Sequence, residues 1–311
     1  IDNAEQDGVE AVIIALPLHL HDAAAIYAMR NGLHVLTEKL MAHSVRQCKE
    51  MARVANATGK ILATGHQRHY SVLYDNAVDQ IRRGLIGEIH HIRAQWHRGN
   101  VPGKDSWQPP LPELDGFTMK DYNTARKAAA GKKELAELAK AYPLYAKLRS
   151  WTGELKKARG SKIDLWEKRV AQVKAQVNAQ VDAKAHGYIS KTYADGKTYE
   201  PLEELIRWRL WERTGGGLMA ELGSHQLDAA SIFISAQRED GQKVKPLSVS
   251  GMGQRSLFPP DREVDDHVHC MFEFPLDGYE SDPNRKLVVS YSSINGNGYG
   301  GWGEVVLGDK G

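Results

Sequence analysis

The 311 residues suffice for two domains with separate cores, and 41% hydrophobic against 26% charged residues is the balance of an ordinary globular protein. Its 41 basic and 39 acidic residues leave a formal charge of +2, which gives no reason to expect nucleic acid or an anionic membrane as partner. No apolar run has the length of a bilayer span, and Cys48 and Cys270 are too few for a disulfide framework and not spaced as metal ligands. The chain opens at Ile1 and closes on the turn-like Asp309-Lys310-Gly311 directly after the apolar Val305-Val306-Leu307. Both ends read as cut, with any targeting segment upstream, so the compartment stays open.

In chain order, the apolar run Ala11 to Leu16 predicts a strand buried on both faces, ended by Pro17. A helix follows from about Asp22 to Asn31, with Gly32 placed as a helix-ending glycine, and Leu33 to Leu36 reads as the next strand. Ser44 is placed to cap a helix to Thr58 closed by Gly59, and Ile61 to Ala63 makes a third strand. Strand, helix, strand, helix, strand with short links implies half of a doubly wound parallel sheet. Ser71 to Arg83 reads as a helix, Glu88 to Trp96 as a strand, and Gly99 to Pro112 as a Pro/Gly-rich loop.

Two stretches rich in Ala, Lys and Glu, Lys132 to Arg149 and Ser161 to Lys184, predict helices; Pro143 starts a new turn or kinks the first. In the second, Trp166, Val170, Val173, Val177 and Val181 recur every three or four residues as an apolar stripe. The lysines of this helical insertion read as a solvated face. Beyond Pro201 a helix carries Ile206, Trp208 and Trp211, and Gly215-Gly216-Gly217 leads into another that ends near Ile234. Leu247 to Gln254, His267 to Phe274 and Leu287 to Ile294 follow as strands without helices between them, which predicts a largely antiparallel open sheet in a second, α+β domain.

Ligands of open parallel sheets bind beyond the carboxyl ends of the strands. Three such ends carry polar groups: Pro17, His19 and His21; Glu38 and Lys39; His66, Gln67 and Arg68. They are expected to converge on one crevice. Lys39 reads either as a desolvated lysine that exchanges protons with a substrate hydroxyl or as a partner of Glu38. Glu221, His225 and Asp228, spaced by four and three, are expected on one helical face. The readings of that trio, in order, are a general base beside a carboxylate, a structural polar face, and an incomplete metal site.

The segment Glu10 to Pro17 with His21 beyond, Glu38-Lys39, Gly65 to Arg68, Gly84 to Gly87 and the glycine-led stretch Gly215 to Asp228 resemble the Gfo/Idh/MocA oxidoreductases in order and spacing. The resemblance implies a Rossmann-type doubly wound sheet, incomplete at its N-terminus, over residues 1–98. It implies a substrate and oligomerisation domain over 99–311, with the insertion at about 115–190. Its chemistry is hydride transfer between a sugar, inositol or related polyol and NAD or NADP. Lys39, His225 and Glu221 are then catalytic, with Lys39 exchanging a proton, His225 the base and Glu221 its helper. Pro17, His21, Glu38, Lys39, Gln67 and Arg68 are the cofactor-side residues, and Lys39, Glu221, His225 and Trp208 hold substrate. No metal, nucleic acid or membrane is implied, and a homo-oligomer is. Three departures are visible. Leu40 stands where the family's Glu-Lys-Pro motif has proline, Glu221 stands for aspartate, and the Gly-x-Gly-x-x-Gly phosphate loop is absent. Two other functions stay open: glycoside cleavage through transient oxidation on the same fold, and a non-catalytic assembly protein that keeps the fold.

Overall fold

A computed structural model describes residues 1–100, 105–111, 117–177, 182–193, 196–296 and 300–311. The chain forms two compact units. One comprises residues 1–107, 193–197 and 208–311; the other comprises 108–192 and 198–207.

The first unit opens with β1 (Ala11–Ile14), α1 (His21–Arg30), β2 (His34–Thr37), α2 (Val45–Thr58) and β3 (Leu62–Thr64). The three strands pair in parallel in the order β1-β2-β3. The local signals act as their chemistry dictates. The Ser44 hydroxyl accepts from the Gln47 amide at 3.3 Å to cap α2, and Gly59 ends that helix at φ 66°. Ala25, Ala28 and Met29 of α1 and Met51 and Val54 of α2 pack with Ile14 and Val35 on one face of the sheet. The other face is open: Ile13 is 75% exposed and Leu36 is at the surface. The expectation of a β1 buried on both faces is therefore corrected, because α1 and α2 join a single core.

α3 (Val72–Arg82) leads to β4 (Ile89–His97), which belongs to a second sheet. That sheet has the order β10-β4-β9-β8-β7, with β7 (Ser248–Gln254), β8 (His267–Pro275), β9 (Lys286–Ile294) and β10 (Gly301–Gly308). All its pairs are antiparallel except β4 with β9, so the sheet is mixed. The terminal strand β10 lies against β4. Alternation along β4 and β9 sends Ile92, Ala94, Val289 and Tyr291 inward against Ala229, Ala230, Phe233 and Ile234 of α9 (Ser224–Gln237) and Ile81 of α3. The register places Met252, Met271, Val305 and Leu307 on the opposite face, where all four are exposed.

The second unit holds the helical insertion: α4 (Met119–Ala128), α5 (Lys132–Ala141), α6 (Pro143–Lys157), α7 (Lys162–Val177) and α8 (Pro201–Ile206), with a two-stranded hairpin of β5 (Lys191–Thr192) and β6 (Thr198–Tyr199). Pro143 sits in the first turn of α6, where its missing N–H costs nothing, and so splits the first predicted helix in two. Leu148 of α6 packs on Val170 and Val173, the centre of the α7 stripe. Val181 and the rest of 178–181 fall outside the described residues, as do 101–104 and Pro112 of the predicted loop. The helix expected to carry Trp208 and Trp211 ends at Ile206; Trp208–Leu210 form a 3₁₀ turn and Trp211 is fully buried.

Candidate active site

Beyond the carboxyl ends of β1 and β2, a cavity of about 420 Å³ is lined by Leu16, Pro17, Glu38, Lys39, Trp208, Arg209 and Glu221. Sequence reasoning assigned Pro17, Glu38 and Lys39 to the cofactor side and Trp208 and Glu221 to the substrate side, and one cavity brings them together. The peptide bond after Lys39 is cis.

Lys39 reaches across to the turn before α9. Its Nζ donates to the backbone carbonyl of Glu221 and lies 3.9 Å from the Glu221 carboxylate. The lysine side chain is 11% exposed, and burial, helped by the Arg209 and Arg98 charges, holds its pKa below the usual lysine range against the pull of Glu221 and Glu38. Of the two sequence readings, an ion pair does form, but chiefly with Glu221; Glu38 is exposed and accepts the Lys39 backbone N–H at 3.2 Å. Burial alone would raise the Glu221 carboxyl, yet Lys39 and Arg209 together keep its pKa below the ordinary value. Arg209 Nε donates to Glu221 Oε1 at 2.8 Å, and its guanidinium lies 4.2 Å from the centre of the Trp208 ring.

Glu221 and His225 do not form the expected pair. Met219–Gly223 is a π-helical turn, wider than an α turn, so the side chains before and after it are not phased as four-residue spacing on an α-helix implies. Glu221 faces Lys39 and Arg209. The His225 ring instead packs on Trp96 of β4, with centroids 5.2 Å apart, and its Nδ1 is buried without a hydrogen-bond partner among the described residues. Desolvation, followed by the positive charges of Lys39 and Arg68, lowers the His225 pKa to about 4. The ring is neutral at neutral pH.

Asp228 turns to a separate polar group. Its Oδ1 lies 3.0 Å from both His69 Nε2 and Lys243 Nζ, while Oδ2 lies 3.8 Å from His66 Nδ1. Burial keeps the His66 pKa below the usual histidine value despite that carboxylate. Among the described residues no group of His, Cys, Asp and Glu is arranged to hold a metal ion. Of the remaining sequence candidates, His21 is buried and both its ring nitrogens face backbone carbonyls, Leu40 at 2.8 Å and Leu16 at 2.9 Å, so it braces the two loops of the cavity. Gln67 is exposed on the turn after β3. Arg68 lies between the rings of Tyr74 and Trp302, 5.3 and 5.4 Å away, on the His225 side of the site. Sequence reasoning missed Arg209, Arg98 and Trp96. The last two stand at the carboxyl end of β4, where the strand-end rule, applied only to the parallel sheet, would have pointed to them.

Residues 2–66 match the family described as the oxidoreductase family with an NAD-binding Rossmann fold, and residues 175–311 match the GFO/IDH/MocA C-terminal domain. The 2,7-anhydro-N-acetylneuraminate hydratase of Mediterraneibacter gnavus is 35% identical over 94 residues, which are 29% of this chain and 25% of that protein. The 1,5-anhydro-D-fructose reductase of Ensifer adhaerens is 29% identical over 123 residues, 38% of this chain and 37% of the relative. The matches thus span about a quarter to two fifths of these relatives' lengths. The WlbA dehydrogenase of Bordetella pertussis, solved with NADH and UDP-GlcNAcA, superposes with a TM-score of 0.53 at 14% identity, covering 99% of this chain and 60% of that one, which supports the shared fold. With both of its family segments present in order and its two sheets in the corresponding fold, the chain belongs to the Gfo/Idh/MocA family.

Proposed function

We propose that the protein is an NAD- or NADP-dependent oxidoreductase that acts on a sugar, inositol or related polyol at the Lys39–Glu221–His225 site. The observation that carries this reading is the placement of a buried lysine of lowered pKa in the wall of a strand-end cavity that Trp208 also lines, with a neutral histidine near enough to feel its charge. The nicotinamide end of a dinucleotide fits what is present. The cavity has room for a ring, apolar backbone at Leu16-Pro17, and Lys39 and Glu38 at its edge. The described residues do not supply the phosphate cradle: α1 begins at His21-Asp22, and an acid in the first turn repels an anion.

The nicotinamide, when bound, takes up or returns the hydride. The residues of this chain handle the proton and the orientation. Neutral His225 accepts the proton of the reacting hydroxyl, which concentrates electron density on the carbon that becomes the carbonyl. Lys39 Nζ, fixed by the Glu221 carbonyl and carboxylate, donates a hydrogen bond to the same oxygen and supplies a proton in the reverse direction. Arg209 holds Glu221 in place, and Trp208 offers an aromatic wall to the apolar face of a sugar. The hydratase among the relatives supports a second reading, in which the same proton chemistry serves a reaction without net redox change. The exposed Met252, Met271, Val305 and Leu307 on the outer face of the mixed sheet support a homo-oligomer built through that face.

The cofactor half of this reading is tested by titrating the purified protein with NAD(H) and NADP(H), after assaying denatured protein for nucleotide carried through purification. Saturable binding of one dinucleotide, weakened by Lys39→Met, is expected. Failure of every nucleotide to bind moves the non-catalytic assembly protein to the front.

A further inference from the structure

The helical insertion holds a cavity of its own. It measures about 770 Å³, within the range of small-molecule sites, and every residue that lines it belongs to α4, α5, α6 or α7. Met119, Leu135, Ala139, Ala146 and Leu148 give it apolar walls. Five cations also line it, Arg126, Arg149, Lys156, Lys157 and Lys174, with Glu154 as the single acid among the described residues. That acid is already engaged, since Lys157 Nζ lies 3.3 Å from its carboxylate. Arg149 donates through Nη1 to Asn123 Oδ1 at 3.0 Å, which ties α6 to α4 and leaves the rest of the guanidinium unused. Arg126, Lys156 and Lys174 have no ion pair and no side-chain hydrogen bond among the described residues, and Arg126 is half-buried. Like charges gathered around an open space repel one another until something negative sits among them. A second feature marks the same wall. Gly153 falls inside α6, where glycine weakens a helix, yet a Cβ there would meet nothing within 4 Å, so packing does not exclude a side chain. Arg149 and Lys156, four residues before it and three after, share its face of the helix, and the missing side chain keeps the cavity wide between them.

We propose that this cavity binds a nucleoside di- or triphosphate, with the phosphates among Arg126, Arg149, Lys156 and Lys174 and the base on the apolar walls. A lone carboxylate would leave most of the positive charge unanswered, whereas a chain of phosphates answers several cations at once. The walls decide the rest of the ligand. They interleave Ser150 and Asn123, whose amide nitrogen has no partner among the described residues, with the aliphatic side chains. That mixture suits the polar edge and apolar faces of a base, and an alkyl chain would leave those polar groups unpaired. The cavity lies within the helical unit and uses none of Lys39, Glu221 or His225, so the proposal stands apart from the reading of the strand-end site.

The test is calorimetric titration of the purified protein with ADP, ATP, UDP and UTP, beside inorganic diphosphate and decanoate. Saturable binding of at least one nucleotide is expected, about 10-fold tighter than diphosphate because the base buries apolar surface. Arg126→Gln should weaken it by about 10-fold through the loss of a charge-assisted hydrogen bond. Gly153→Leu, which suits a helix and narrows the cavity, should weaken it comparably while the melting temperature is retained. Lys133→Gln with Lys140→Gln, which removes two charges of the same unit outside the cavity, should leave the affinity within about twofold. The proposal is overturned if no nucleotide binds, if diphosphate or decanoate binds as well as the nucleotides, or if the Lys133/Lys140 variant weakens binding as much as Arg126→Gln. It is also overturned if Arg126→Gln and Gly153→Leu leave binding intact while Lys39→Met abolishes it, since the nucleotide then occupies the strand-end cavity.

Discussion

At the scale of single residues the site is a study in which neighbour wins. Lys39, Glu221 and His225 stand out in the sequence because each occupies a position where such folds concentrate ligands, a strand end or the helix after a glycine run. Their pairing was not legible. Spacing alone assigned Glu221 to His225, whereas Arg209, twelve residues before Glu221, and Lys39, far back in the chain, claim the carboxylate. Left with an aromatic neighbour and three nearby cationic or titrating groups, His225 stays neutral down to a pKa of about 4, against 6.5 for a free histidine. Two consequences follow in sign. The unfolded chain binds more protons than the native one between about pH 4 and 6.5, so this group's contribution makes stability fall as pH is lowered through that window. A kcat/KM profile limited by His225 should also keep its activity well below pH 6.5, with an acid limb near pH 4 that His225→Gln abolishes. A limb at the ordinary histidine position, unchanged in the variant, would show that another group is the base.

At the scale of elements, capping and breaking signals translated directly into structure. Ser44, Gly59 and Pro143 each act at the position their chemistry favours. Ser44→Ala should therefore destabilise the chain by about 1 kcal/mol in chemical denaturation, through the loss of one cap. The π turn at Met219–Gly223 had no such signal, because no capping or breaking residue marks a π turn in a sequence. A Cβ on Gly223 would come within 2.7 Å of Met219 Sδ and 2.9 Å of the Tyr291 ring. Gly223→Ala should then destabilise by roughly 1–3 kcal/mol by overpacking, and should disturb turnover more than Ser44→Ala does, since it displaces the carbonyl that holds Lys39. Equal turnover in the two variants would argue that the turn does not position the lysine. The short hairpin β5–β6 and helix α4 were missed for a simpler reason: two-residue strands and a polar ten-residue helix carry little periodic pattern.

At the scale of the whole molecule, the net charge of +2 conceals an uneven distribution. Residues 117–177 carry fifteen Lys and Arg against six Asp and Glu, so this stretch is strongly basic and the remainder of the chain acidic. Retention on a cation exchanger should exceed what a net charge of +2 implies, and Lys156→Glu with Lys157→Glu should elute at markedly lower salt. Unchanged elution would mean that the basic stretch is not presented as one surface. The alternation of strands and helices before residue 65 made the parallel sheet legible, and the helix-free succession of strands after residue 247 announced the second sheet. The parallel pairing of β4 with β9 was not, because it joins segments nearly two hundred residues apart and no local pattern encodes such a partner.

In the proposed chemistry this site moves a proton while a nicotinamide takes or gives a hydride. It is tested most directly by following nicotinamide reduction with the purified protein, sugars and polyols as substrates, and Lys39→Met alongside wild type. Substrate-dependent reduction by wild type is expected, with a loss of roughly 10²- to 10⁴-fold in the variant and its fold intact by circular dichroism. Full turnover in Lys39→Met, or no nicotinamide change with any substrate despite bound dinucleotide, would contradict it.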